Sequence, residues 1–232
     1  MKQKKVAIIQ SNYIPWKGYF DIIAYVDEFI IYDDMQYTKR DWRNRNIIKT
    51  QNGTKWLTIP ISAKGKYTQK IKDTKINGSK WAVTHWKSLE ANYAYAPYFK
   101  EIKTWLEPLY LENSLDNISI VNHTFIIAIC KYLEINTTIS NSWDYDVSGR
   151  KSERLANLCT KAKASQYISG PSAKRYIIEK TFNEKGINMD WFNYEGYPEY
   201  SQLWGEFTHE VTILDLLFNC GKDSKKHMKY VS

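Results

Sequence analysis

The sequence predicts an α/β protein in which a parallel sheet carries a β-hairpin and a central helical region. Three observations support this. "KVAII", the loop "QSNYIPWKG", the amphipathic "GYFDIIAYVD" and the apolar "EFIIYDD" follow one another as strand, loop, helix and strand. Asn52-Gly53 separates two strand-like runs, and Asn-Gly tolerates the positive φ angles of a tight turn. From Ser79 to about Leu133 the periodicity is helical, before strand–helix alternation returns. A chain of 232 residues can bury one sizeable core. We therefore expect a single α/β domain over 1–232 with a helical insertion at 79–134.

The elements follow in order. "KVAIIQ" reads as a buried strand and "EFIIYDD" as its parallel neighbour, joined by a right-handed crossover through a helix on which Phe20, Ile23 and Ala24 share a face. "NIIKTQNGTKWLTIPI" is the hairpin. "SKWAVTHWKSLEANYAYAPYF", "PYFKEIKTWLEPLYL" and "SLDNISIVNHTFIIAICKYLEI" read as successive helices separated by Pro97 and by the Asn113-Ser114 break. In the third, Ile118, Val121, Phe125, Ala128, Ile129 and Tyr132 form one face. After "NTTISNSWDYD", Ser152 is placed to cap a helix with a Leu155, Leu158, Cys159 and Ala162 stripe. "QYIS" is then a strand, "GPSAKRYIIEKTFNEKG" a helix ended by Gly186, and "INMDWFNY" a further strand. "TILDLLFNCG" closes the fold as an amphipathic helix capped by Gly221, and the tail "GKDSKKHMKYVS" is expected to fray.

Composition narrows the function. Cys130, Cys159 and Cys220 form no CxxC pair, so neither a disulfide framework nor a zinc site is signalled, and no metal is expected. "MKQKK" runs straight into a strand and no window is apolar enough to span a bilayer, which points to a cytoplasmic protein without a membrane span. With 33 Lys and Arg against 25 Asp and Glu, the formal charge of +8 favours anionic partners. Aromatic residues, 15% of the chain, suit a core or a platform for sugars and bases.

The first loop resembles that of the nucleotidylyltransferase and class I synthetase superfamily, whose Rossmann-like core follows the same strand–loop–helix path. Where that loop ends in a His-x-x-His type motif, this chain reads Trp16, Lys17, Gly18, Tyr19, so both histidines are missing although the glycine remains. The superfamily's second phosphate-binding turn has its nearest counterpart in "ISGPSAKRYI", with Lys174 and Arg175 in the first turn of the expected helix. "GPSA" would serve equally well as an ordinary helix start.

A more extensive resemblance lies in six blocks: "IIQSNYIPWKGYFDII", "YDDMQYTKRDWRNRNIIKT", "KWLTIPI", "HWKSLEANYAYAPYF", "YISGPSAKRYI" and "LWGEFTHEVTILDLLFNCG". In this order they resemble the WbqC-like protein family. That resemblance implies a bacterial enzyme of surface-polysaccharide (O-antigen) biosynthesis that transfers an acyl or aminoacyl group to the amino group of a nucleotide-linked amino sugar. No tightly bound cofactor is implied. Acyl-CoA or an acyl-carrier-protein thioester is a possible donor, and the carrier protein a possible partner.

The residues can be matched to that chemistry. Lys39, Arg40, Arg43 and Arg45, following the second strand, are the leading diphosphate candidates, with Gln36 and Asn44 beside them; the alternative is a solvated charge cluster anchored by Trp42. Gln10, Asn12 and Tyr13 end the first strand and could bond a base, ribose or sugar, while Lys17 and Gly18 would bring charge and close backbone approach. Ser169, Gly170, Ser172, Lys174 and Arg175 are expected to meet the first loop at the same rim of the sheet and to complete with it a cationic cleft sized for a diphosphate. His85 is the expected general base, with a hydrogen-bonded interior histidine as the alternative, and His209 is the second candidate. Asp33 and Asp34 end the second strand, where one carboxylate could orient an amine or pair with Arg43 or Arg45. His123, on an apolar helix, reads as structural, and Cys220 has no identifiable base. Two rival functions remain: nucleotidyl transfer on the same fold, and a nucleic-acid-binding module built on "KRDWRNRNIIK". The second is disfavoured because charge is spread along the chain, so no nucleic-acid partner is expected. The oligomeric state is left open.

Overall fold

The computed structural model describes residues 3–112 and 114–232. Five strands, β1 (Lys5–Ile9), β2 (Glu28–Ile31), β5 (Thr138–Asn141), β6 (Gln166–Ser169) and β7 (Asn188–Trp191), form an all-parallel sheet in the order β5-β2-β1-β6-β7. The two remaining strands, β3 (Arg45–Thr50) and β4 (Gly53–Thr58), form a separate antiparallel hairpin in which Gly53 adopts φ 99°. The expected α/β class and the hairpin at Asn52-Gly53 are borne out.

The sheet strands read as unbroken apolar runs because both of their faces are covered. Val6, Ile8 and Ile30 pack with Leu155, Leu158 and Cys159 of α5 (Lys151–Lys161) and with Phe182 of α6 (Lys180–Asn183). On the opposite face Ala7, Phe29 and Ile31 join the larger core. That core also takes side chains from α1 (Lys17–Tyr25), α2 (Lys80–Tyr93), α3 (Phe99–Leu111), α4 (Ile118–Tyr132) and α7 (Ile213–Cys220). α1 carries the chain from β1 to β2 on one side, whereas β6 pairs with β1 on the other. The strand order therefore reverses at β1, and its carboxyl end is the place where open α/β sheets bind ligands.

Caps fix the helices that reach this edge. Asn117 Oδ1 accepts from the N–H groups of Ser119 and Ile120 at 2.9 and 3.2 Å and so starts α4. Thr212 Oγ1 accepts from the Leu214 N–H and starts α7, which stops at Gly221 with φ 55°. A Cβ there would lie 2.3 Å from the Tyr98 ring, so close approach as well as backbone conformation demands glycine.

The sequence expectations need four corrections. β5 is a polar edge strand within "NTTISNSWDYD", a stretch to which the sequence assigns no element because its Ser and Asn positions carry no apolar alternation. The helix expected over 170–186 is a 3₁₀ turn at Pro171–Arg175 followed by the short α6, since Tyr176 to Ile178 interrupt it. Ser152 lies inside α5, where its Oγ accepts from the Ile178 N–H at 3.0 Å, and Arg150 is the capping position. The tail is packed: Met228 and Val231 are buried, and Asp21 accepts from the N–H groups of Lys229 and Tyr230, both at 2.8 Å. Asn113, half of the expected break between α3 and α4, lies outside the described residues.

Candidate functional site

The loop that leaves β1 is held in a conformation it would not adopt alone. Ile14 has φ 37°, an unfavourable region for a β-branched residue that costs on the order of 1–3 kcal/mol. Four neighbouring contacts hold it there. Asn46 Nδ2 donates to the carbonyls of Tyr13 and Ile14 at 3.0 and 2.9 Å, Thr212 Oγ1 donates to Ile14 O at 2.6 Å, and Ile213 N–H donates to Pro15 O. The hairpin and α7 thus clamp the loop from two directions.

Behind this loop, the carboxyl edge of the sheet carries a buried polar network. Asp33, fully enclosed after β2, accepts from Ser11 N–H at 2.8 Å and from the hydroxyls of Ser11 and Ser119, each at 2.6 Å. Asn122 Nδ2 donates to Ser11 Oγ and to the Arg43 carbonyl, while the Arg43 guanidinium donates to Ser11 O at 3.0 Å. Asp34 is held by the Ser142 hydroxyl at 2.5 Å and by Arg154. The pairing of these aspartates with Arg43 or Arg45 is therefore corrected: Asp34 takes Arg154, and Arg43 lies 3.7 Å from Asp41.

The same edge carries groups that remain open to solvent. His123 is half-buried, and burial holds its imidazole below the ordinary range against the opposing charges of Asp33 and Asp144. Trp143 is exposed, with the Lys72 ammonium 5.2 Å from its ring. Gln10 is half-buried and its carbonyl accepts from Tyr19 Oη; the half-buried Asn12 keeps a buried Oδ1 with no protein partner.

A concavity is formed by the segments that follow β2 and β4. Its volume is about 360 Å³, and its walls include Tyr37, Lys39, Arg40, Asn44, Lys64 and Tyr67. Three cations face a space that no carboxylate lines. Asn44 is 7% exposed; its Nδ2 donates to Ile59 O at 2.7 Å, which fixes the amide's orientation and leaves Oδ1 as an unpartnered acceptor. Gln36 closes one side by donating to Tyr67 O at 2.6 Å. Groove and network share a chain segment, because Asn122 binds the carbonyl of Arg43, the residue before Asn44.

The remaining expected site residues lie elsewhere. His85 is 4% exposed; its Nδ1 is 2.9 Å from the Tyr13 hydroxyl, which continues to Tyr110 Oη at 2.7 Å, and its ring also bonds the backbone of Thr58. Burial lowers its pKa to about 4. Tyr13 is consequently a core residue. Lys17 also turns inward, donating to Pro198 O at 2.9 Å between the rings of Tyr197 and Tyr200, and burial lowers its pKa to about 8. His209 lies within range of the Lys17 charge and is held below its ordinary pKa chiefly by burial. Gly18 is roofed by the Trp16 indole, where a Cβ would meet ring atoms at 2.4 Å.

Ser169 is buried at the end of β6, beside β1 as the shared-edge expectation requires. Gly170 lies against Tyr194, which in turn packs on Trp16 with ring centroids 5.3 Å apart. Aromatic side chains thus occupy the space expected to be a cationic cleft between the two loops. Ser172, Lys174 and Arg175 are exposed on the 3₁₀ turn, with Lys174 5.5 Å from the Trp191 ring. Arg45 stacks on Trp56 and donates to Arg40 O.

Sequence reasoning found Lys39 and Arg40, read His123 as structural, and missed Lys64, Tyr37, Tyr67 and Arg154. The missed residues meet their partners through tertiary contacts far apart in the chain. Among the described residues, no group of three His, Cys, Asp or Glu is arranged to hold a metal ion, and no helix is long and apolar enough to cross a membrane.

Fold and site define a protein with a Rossmann-like parallel core, a polar carboxyl edge and a cationic groove built from the segment after β2. A family model matches residues 10–227, and the chain belongs to the WbqC-like protein family. It is 57% identical over 227 residues to the "Uncharacterized protein Rv1507c" of Mycobacterium tuberculosis, a match that covers 98% of each chain. No solved structure matches.

Proposed function

We propose that this protein is a transferase of bacterial surface-polysaccharide synthesis that binds a nucleotide-linked amino sugar and transfers an acyl or aminoacyl group to its amine. The observation that carries the reading is the groove in which Lys39, Arg40 and Lys64 face a volume of about 360 Å³ free of carboxylates. Three exposed cations gathered at one concavity suit a diphosphate, whose negative charges they can share.

In this reading the carboxyl edge supplies the base for amide formation. A sugar ammonium must lose a proton before its nitrogen lone pair can attack the acyl carbon. His123, neutral near pH 7 and close to two carboxylates, is suited to accept it. With a thioester donor, the new C–N bond forms as the C–S bond breaks, and the sulfur leaves with the electron pair. In this reading the base is His123 rather than His85, whose two ring contacts are already internal.

The test pairs binding with product analysis. UDP-, dTDP- and GDP-linked amino sugars are titrated by calorimetry, then incubated with acyl-CoA, acyl-carrier-protein thioester or aminoacyl adenylate and read by mass spectrometry. Binding with an N-acylated product supports the proposal. His123→Gln should lower kcat at least tenfold with little change in sugar affinity, and Lys39→Ala with Arg40→Ala should weaken binding. Absence of both binding and product across the three nucleotides would refute it.

A further inference from the structure

Trp42 and Trp56 are the unexplained feature nearest the groove. They are 44% and 43% exposed, although burying an indole is ordinarily favourable. Their ring centroids lie 5.3 Å apart at 35°, and the Arg45 guanidinium covers Trp56 at 4.2 Å. Strand pairing places Trp56 opposite Ile47 and Thr58 opposite Arg45. Thr58 lines the groove, and Arg45 donates to the carbonyl of Arg40, another groove residue. Platform and groove are thus joined through one arginine.

We infer that the Trp42–Trp56 pair is the base-stacking subsite of the groove, holding the planar base of a nucleotide whose phosphates lie against Lys39, Arg40 and Lys64. The inference rests on the nucleotide-sugar reading above and deepens it by naming what holds the base. Charge complementarity selects this occupant: the platform carries a stacked guanidinium whose arginine bonds Arg40 of a groove lined by three cations, which suits an aromatic ring joined to an anion. A neutral glycan would use the indoles but leave those cations unmatched.

The test separates ring from phosphate. UDP, dTDP, GDP and inorganic pyrophosphate are titrated against wild type, Trp56→Ala, Trp42→Ala and Trp56→Phe, with tryptophan fluorescence and calorimetry as readouts and a thermal melt to confirm folding. The expected result is fluorescence quenching in wild type and a loss of about tenfold or more in nucleoside diphosphate affinity in the alanine variants. Pyrophosphate affinity should be unchanged, and Trp56→Phe should recover much of the loss. Nucleoside diphosphates that bind wild type and the alanine variants equally would overturn the inference while leaving the proposed function standing. Equal losses for nucleotide and pyrophosphate would overturn it too, since the indoles would then only shape the hairpin. An oligouridylate binding at least a hundredfold tighter than UDP, with steep salt dependence, would replace it with a nucleic-acid surface. If wild type binds none of the four probes, both readings fall together.

Discussion

His85 ties a measurable pH dependence to its position in the core. Its pKa falls from the ordinary 6.5 to about 4 because burial disfavours the imidazolium, and the nearby Lys55 charge adds to the effect. The folded protein therefore excludes a proton that the unfolded chain accepts. This contribution to stability is complete above pH 6.5 and is lost as pH falls from there toward 4. Between pH 8 and pH 5 the loss is about 2 kcal/mol, and over the whole span about 3 kcal/mol. The assay is urea unfolding of wild type and His85→Gln at both pH values. Glutamine keeps a donor and an acceptor near Tyr13 but does not titrate. The variant should lose about 2 kcal/mol less than wild type on acidification. Equal losses in the two proteins would refute the reasoning, because the ring would then protonate as easily folded as unfolded. So would a kcat that titrates with the wild-type His85 ring, since an internal histidine with both contacts occupied cannot exchange protons with substrate.

Other expectations follow from the same contacts. Asn46→Ala removes two hydrogen bonds from the carbonyls of Tyr13 and Ile14 and should cost about 2 kcal/mol in chemical unfolding, with faster amide exchange in the loop after β1. Asp33→Ala strands three buried donors, and Asp33→Asn keeps part of their pairing; unfolding should show a loss of about 4 kcal/mol for alanine and a smaller one for asparagine. Gly221→Ala combines a φ of 55° with a Cβ placed 2.3 Å from the Tyr98 ring, so its melting temperature should fall by several degrees, corresponding to at least about 2 kcal/mol.

How much of this was legible depended on whether a signal was local. The strand–loop–helix–strand start, the Asn-Gly turn and the helix stripes are written in periods of two and 3.6, and they appear where the sequence predicts them. β5 escaped because "TISN" is a polar edge strand, which pairing with β2 organises more than its own pattern does. Nothing local on α7 accounts for Asp215; the structure encloses it among the Tyr93 and Tyr200 hydroxyls and Gln202 Nε2, at 2.8 to 2.9 Å, donors drawn from α2 and the 192–212 loop. The histidines show the limit most clearly. His85 and His123 both lie on helices with apolar faces, and no periodicity says which helix face ends beside carboxylates. The carboxylates that bear on His123 are Asp33 and Asp144, which follow β2 and β5 and meet α4 only after the sheet has assembled.

The strained loop after β1 suggests why the helical region and the hairpin belong to the same site as the sheet. Ile14 keeps its positive φ through partners on β3 and at the start of α7, and the neighbouring Ser11 is bound by Asp33 from the turn after β2 and Asn122 from α4. The loop therefore takes its shape only when four elements outside β1 have docked. Strain offset in this way is preorganisation: the ordering is completed during folding and need not be supplied when a ligand arrives. If so, Asn46→Ala should weaken nucleotide-sugar binding by more than its loss of stability alone would suggest, with the enthalpy and entropy of binding shifted toward an ordering transition. A variant that is destabilised by about 2 kcal/mol yet binds with wild-type affinity and heat at a temperature well below its melting point would show that the clamp serves the fold and not the site.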